Sequence, residues 1–191
     1  MSAQPEPAEV IVDLVTDPAD AGLVAALAAS TFPLACPPHS HPDDIAGFIR
    51  AHLSPENFAG YIAAADSDVL LARTADDTPV GYALVRHREP ADPDVAALIT
   101  DRPSSEVSKV YVLPDHHAKG RTDSPSRLLM GAAIARADNR GAASVWLGVN
   151  QENVRAQRFY AKMGFSRAGV KTFDLNGTIE HDYVLVRHLS R

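Results

Sequence analysis

The residues best suited to chemistry lie between Glu106 and Phe165. Val107-Ser-Lys-Val-Tyr-Val-Leu113 has the pattern of a strand, a loop of small and polar residues follows, and Ser124-Pro125 opens a helix. That succession makes a phosphate site, because free N–H groups and the dipole of a helix start point at an anion. A second strand, Val145-Trp-Leu-Gly-Val149, then leads into a second helix. In that helix Asn153 and Ala156 stand three residues apart, and Ala156 and Tyr160 four apart, so all three share one face. Read alone, Tyr160 is a half-buried helix aromatic and Asn153 an N-cap, a role compatible with ligand contact. Glu106 alone reads as a solvated carboxylate at a strand end.

Two other groupings invite a metal reading. His116-His117 is a loop pair of the kind usually left exposed. Cys36-x-x-His39-x-His41 offers one thiol in a proline-broken segment, which falls short of a zinc set, so no metal is expected.

The elements that must position these residues follow from periodicity and turn chemistry. Val10-Ile-Val-Asp-Leu14 reads as a first strand, and Asp17-Pro18 opens a helix with Leu23, Val24, Leu27 and Ala28 on one stripe. Three prolines between Phe32 and His39 forbid regular helix there. Helices are expected from Pro42 and, with Ser54 as cap and Pro55 at the first position, from residue 55. Strands at 69–72 and 80–85 flank a polar turn, and 88–104 reads as an excursion with one helical turn at 95–99. Strand 106–113, helix 125–140 closed by Gly141, strand 145–149, helix 153–162 stopped at Gly164, and a hairpin about Asn176-Gly177 complete the order. Gly81, Gly148 and Gly169 read as bulges or points of close packing. The order describes an α/β fold with a mixed, mostly antiparallel sheet, helices on both faces, and one βαβ crossover.

Length and composition set the class. At roughly 150 residues per domain, 191 residues predict one domain spanning 10–191 behind a short mobile tail, 1–9. Hydrophobic residues at 46% and charged ones at 22% belong to an ordinary globular protein. Eighteen basic against 24 acidic residues leave a net charge of −6, which argues against a nucleic-acid partner and suits a cationic or amine substrate. A single cysteine fits a reducing, cytoplasmic setting. No stretch reaches the ~18 apolar residues of a membrane helix, so no membrane partner is expected. The first ten residues have no signal-peptide pattern.

The motif Val107-Ser-Lys-Val-Tyr-Val-Leu-Pro114, then Trp146-Leu-Gly-Val149, then Asn153-x-x-Ala156-x-x-Phe159-Tyr160-x-x-x-Gly164-Phe165 resembles the GNAT family of acetyl-CoA-dependent N-acetyltransferases. The resemblance implies the GNAT fold and acetyl-CoA as co-substrate. It also implies direct transfer of acetyl to a primary amine of a small molecule or peptide. Under it, Glu106 takes the position of the general base, acting directly or through water, and Tyr160 that of the general acid on the thiolate. A backbone N–H among Tyr111, Val112 and Leu113 becomes the oxyanion donor, and Asn153 bonds the pantetheine arm. The family's Gln/Arg-x-x-Gly-x-Gly/Ala loop is not intact here. Anchored on the strand it becomes His117-Ala-Lys-Gly120-Arg121-Thr122; anchored on the helix it becomes Arg121-Thr-Asp-Ser124-Pro-Ser126. Both registers remain open.

Within the family, residues 32–58 and 146–186 look most like the bacterial spermidine/spermine acetyltransferases. Asp43, Asp44, Glu180 and Asp182 are then carboxylates for a second ammonium; otherwise they are a helix start and a solvated turn. A protein N-terminus or an amino acid is the alternative acceptor, and a non-catalytic acyl-CoA-binding module the alternative on the same fold. Exposed sheet edges further suggest a homodimer.

Overall fold

The computed structural model describes residues 9–117 and 123–189; of the expected tail only Glu9 falls within them. The chain runs β1 (Val10–Val15), α1 (Ala21–Thr31), α2 (Pro42–His52), α3 (Pro55–Ala63), β2 (Ser67–Thr74), β3 (Pro79–Arg86) and α4 (Pro93–Leu98). It continues through β4 (Ser104–Val112), α5 (Pro125–Asn139), β5 (Ser144–Asn150), α6 (Val154–Lys162), β6 (Ser166–Leu175) and β7 (Thr178–His188). Local chemistry accounts for most of these boundaries. Ser54 and Asn57 form a reciprocal capping box ahead of α3, with Pro55 at its first position. Asn176 and Gly177 both take positive φ, as the tight β6–β7 turn requires. The expected first helix differs in one respect: it opens with a 3₁₀ turn, Pro18–Asp20, capped by Asp17, before α1 begins.

The strands form one sheet in the order β1-β2-β3-β4-β5-β7-β6. All neighbours are antiparallel except β4 and β5, which the α5 crossover leaves parallel. One face of the sheet buries Val85, Val107, Val145, Leu147 and Val149 under α5, through Leu129, Met130 and Ala133. The other buries Leu71, Tyr82 and Leu84 under α1 to α3, through Val24, Ala28 and Phe58. A smaller cluster on that second face joins Val95 and Ile99 to Trp146, Val184 and Val186. The candidate site lies on this second face, beside Phe32, Phe48, Phe173 and Leu175 of the first of these clusters.

A polar hub ties one end of the sheet to α5. Asp68, 3% exposed, accepts from His87 Nε2 at 2.8 Å, Arg136 Nε at 2.7 Å and Arg140 Nη2 at 2.9 Å. Burial alone would raise its pKa, but the Arg136 and His87 hydrogen bonds and charges outweigh that and hold the carboxyl below its ordinary value. Burial in turn lowers the pKa of His87.

Candidate active site

The site is a consequence of how β4 is built. Its pairing with β3 runs Val107↔Val85 and then Lys109↔Leu84, so Ser108 is an extra, bulged residue. Without the bulge, period-2 alternation would send Glu106 and Lys109 to opposite faces. With it, Glu106, Lys109 and Tyr111 share the face away from α5. There they line a cavity of about 190 Å³ with Ser108.

β4 also separates from β5. The two strands pair only from Ser104↔Ser144 to Glu106↔Trp146. Beyond that point a cleft opens through the sheet. Leu113 donates its N–H to Val80 O at 2.8 Å, so strand alternation turns the Val110 and Val112 N–H groups toward the cleft. Of the three backbone positions expected from the sequence, Leu113 is therefore engaged with β3, Tyr111 has the same orientation, and Val112 is the one that faces the opening. His117 donates through Nε2 to Val112 O at 2.8 Å. Burial and then the Arg155 charge lower its pKa, so the neutral ring acts as donor to that carbonyl. This corrects the expectation of a merely exposed loop histidine.

A second cavity, about 210 Å³, occupies the cleft and is lined by Tyr111, Val112, His117, Ser126, Asn153 and Tyr160 among others. Ser124 stands at the N-cap position of α5, 3% exposed, and its side chain makes no cap hydrogen bond; it lies 3.5 Å from Ser126 Oγ. The helix thus starts where the helix-anchored register puts it, while His117 from the strand-anchored register also reaches the cleft. Gly120, Arg121 and Thr122 lie outside the described residues. Asn153 caps α6, its Oδ1 accepting from Ala156 N–H at 3.0 Å, and it also lines both cavities.

Tyr160 connects the two cavities. Its ring packs on the α5-side cluster, 6.1 Å from Phe165 and 5.4 Å from Phe159, yet the open cleft lets it line the cavity on the opposite face. Burial, and then the nearby Asp182 charge, push its phenol well above the usual tyrosine range. Its hydroxyl makes no hydrogen bond among the described residues.

The larger surprise is the far wall of the first cavity. Glu180 and Asp182, for which the sequence left a seat for a second ammonium and a solvated turn both open, are 7% and 8% exposed and line the cavity. The long β7 carries them past the turn to a place between β5 and β6. Glu180 is held by His39 Nε2 at 3.1 Å and by Asn150 Nδ2 at 3.5 Å. Asp182 pairs with Lys171 Nζ at 3.7 Å, and burial raises its pKa. Asp43 and Asp44 stand elsewhere: Asp43 is exposed at the α2 start, and Asp44 accepts from Thr178 at 2.7 Å. A Cβ on Gly148 would sit 2.5 Å from Lys171 Cε, so the bare glycine leaves room for the Lys171 side chain, which reaches over β7 from β6 toward β5.

Lys109 and Lys171 were not singled out from the sequence. The available signal was a lysine inside the otherwise apolar run Val107-Ser-Lys-Val-Tyr-Val112; its face could not be read because the bulge is a tertiary feature.

Comparison with known proteins bears on the family and the fold. The family model described as "Acetyltransferase (GNAT) family" matches residues 29–165, more than half the chain. An uncharacterized N-acetyltransferase of Mycobacterium tuberculosis, and one of Mycobacterium bovis, are each 46% identical over 170 residues, covering 89% of this chain and 98% of theirs. Among solved structures, the PaiA N-acetyltransferase of Thermoplasma acidophilum, in complex with coenzyme A, is similar with a TM-score of 0.69 at 18% identity. The match covers 94% of this chain and 99% of that one. A GCN5-related N-acetyltransferase of Rhodopseudomonas palustris gives a TM-score of 0.70 at 19% identity over 98% and 100% of the chains. Among the described residues no helix is long and apolar enough to cross a membrane. The chain belongs to the GNAT acetyltransferase family.

Proposed function

We propose that this chain, an acetyl-CoA-dependent N-acetyltransferase by family, carries acetyl from the cleft to a primary amine in the cavity on the opposite face. The observation that carries the reading is the meeting of the two cavities at Tyr160, Tyr111 and Asn153. The chain's residues fit the co-substrate: an unpaired strand edge for an extended amide-bearing arm, and the N-terminus of α5 for phosphate. An alkylammonium has a pKa of ~10.4 and must lose a proton before it can attack. Glu106, on the acceptor-cavity wall, is the carboxylate the family resemblance brings forward for that task. The Val112 N–H faces the cleft and suits the oxyanion. Tyr160, kept protonated by its surroundings, suits protonation of the departing thiolate.

For the acceptor we propose a polyamine, supported by Glu180 and Asp182 on the cavity's inner wall as seats for a second ammonium. A second reading has its own support: Lys171 on the same wall suits an acceptor that carries a carboxylate, such as an amino acid. Titration of acetyl-CoA followed by thiol release across an amine panel tests both. For the polyamine reading, kcat/KM for spermidine exceeds that for hexylamine, and the gap narrows as salt rises, since screening acts within ~8 Å at physiological ionic strength. Equal values at low salt refute a polyamine. Binding of acetyl-CoA without turnover of any amine returns the chain to an acyl-CoA-binding module.

A further inference from the structure

The acceptor cavity contains a group that the acetyl-transfer reading has not used. The Ser108 bulge turns Lys109 onto the cavity wall between Glu106 and Tyr111. Its ammonium has no carboxylate within 4.0 Å among the described residues, and its one hydrogen bond is a long one, 3.5 Å to Ser108 Oγ. Two other charged groups of the cavity do have close partners: Lys171 pairs with Asp182, and Glu180 with His39 and Asn150. A lysine on a cavity wall with no counter-charge in contact gives up its proton more easily than one in water, because desolvation is repaid only by a close counter-charge.

We propose that Lys109 is the base that takes the acceptor's proton. The proposal rests on the acetyl-transfer reading above and assigns its proton step to a residue other than Glu106. Neutral Lys109 Nζ takes a proton from R–NH3+, leaving R–NH2, whose lone pair forms the C–N bond at the acetyl carbon. The C–S bond then breaks, and the sulfur leaves with its electron pair and takes a proton from Tyr160. The Tyr160 oxygen recovers a proton from the new amide nitrogen, and Lys109 returns its own to solvent. The balance is one amine acetylated, one free thiol and one proton released.

The electrostatic surroundings support this role. Burial, partly opposed by Glu106 and reinforced by Arg86 of β3 and Lys171 of β6, brings the Lys109 pKa down to about 8. Asp182 and Glu180 of β7, Tyr160 of α6 and Cys36 of the loop before α2 face the same cavity. A base near that value accepts a proton from an alkylammonium far more readily than a carboxylate does, and roughly a tenth of it is already in the free-base form at pH 7.

The test compares Lys109→Gln, Lys109→Arg and Glu106→Gln in the full chain with two amines of similar size, ethylamine and the weakly basic trifluoroethylamine. Melting curves and acetyl-CoA titration establish that each variant is folded and binds. With ethylamine near pH 7.5, both Lys109 variants lose about 100-fold in kcat/KM, the range of a positioned base. With trifluoroethylamine, which needs no deprotonation before attack, the loss is only a few-fold. The wild-type profile levels off above a midpoint near pH 8, whereas the variant profiles keep rising with pH. Arginine preserves the cation but cannot serve as base, so a Lys109→Arg enzyme within three-fold of wild type overturns the proposal and makes Lys109 an anion seat. Equal losses with both amines also overturn it, in favour of a packing role. A wild-type enzyme that acetylates no amine refutes the acetyl-transfer reading instead.

Discussion

Replacing Tyr160 with phenylalanine removes one oxygen from the point where the two cavities meet. The ring keeps its contacts with Phe159 and Phe165, and the hydroxyl makes no hydrogen bond among the described residues. The folded state therefore changes by no more than about 0.5 kcal/mol. The catalytic cost is larger. A thiolate with the basicity of a cysteine, pKa ~8.5, leaves without protonation more easily than an alkoxide would, so the loss falls at the low end for a general acid. We expect kcat to fall about 10- to 100-fold, or ~1.4–2.7 kcal/mol of barrier. Acetyl-CoA affinity should stay within a few-fold. Because burial and Asp182 hold the phenol protonated well beyond the usual tyrosine range, the acid remains loaded at alkaline pH. The wild-type rate should then show no falling limb between about pH 7 and pH 9.5, the region below an ordinary tyrosine pKa. The assay is thiol release at saturating amine, paired with calorimetric titration of acetyl-CoA. Unchanged kcat refutes the role. A loss of acetyl-CoA affinity equal to the loss of rate assigns Tyr160 to binding.

Four further outcomes are expected. Asp68→Asn leaves two arginines facing a neutral amide and should cost about 3 kcal/mol in denaturant unfolding, near the lower end for a broken buried ion pair. The wild type should also lose stability in acid. His87 has a depressed folded-state pKa, so the unfolded chain takes up its proton first and stability starts to fall as pH drops through ~6.5. Asp68 is likewise depressed, so its contribution is present above ~3.9 and is lost only as pH falls further, through its folded value; a Tm that is flat from pH 7 to pH 3 contradicts both. The glycines separate by what they touch. Gly81→Ala brings Cβ to 2.7 Å from the Tyr111 carbonyl, which cannot yield, and should cost about 2 kcal/mol. Gly148→Ala meets side-chain ends, Lys171 Cε at 2.5 Å and Asp182 Oδ2 at 3.1 Å, rather than backbone, and should leave stability within ~0.5 kcal/mol while raising the amine KM. Finally, Ser126→Phe at the first turn of α5 should weaken acetyl-CoA binding about tenfold by blocking the approach of phosphate to the helix start. A weaker effect there than at His117→Ala favours the strand-anchored loop register.

Much of this protein was legible in its sequence because it depends on chemistry within a few residues. Ser54-Pro55 and Ser124-Pro125 start helices by fixing φ and removing an N–H that has no helical partner. Asn176-Gly177 makes a turn because both positions require positive φ. The all-apolar run of β5 belongs between two strands, and the spacing of Asn153, Ala156 and Tyr160 puts them on one helix face wherever that helix packs. The tertiary structure decided what no local window contains. Glu180 and Asp182 look like hairpin polar residues until β7 places them between β5 and β6, where burial raises the pKa of Asp182. The side of β4 that Lys109 occupies depends on a bulge, and a bulge exists only relative to a partner strand, here β3. The cleft depends on β4 and β5 parting after Glu106↔Trp146. Side-chain alternation has a period of two along one strand, but which edge stays unpaired and which face becomes a cavity wall is set by strands distant in sequence.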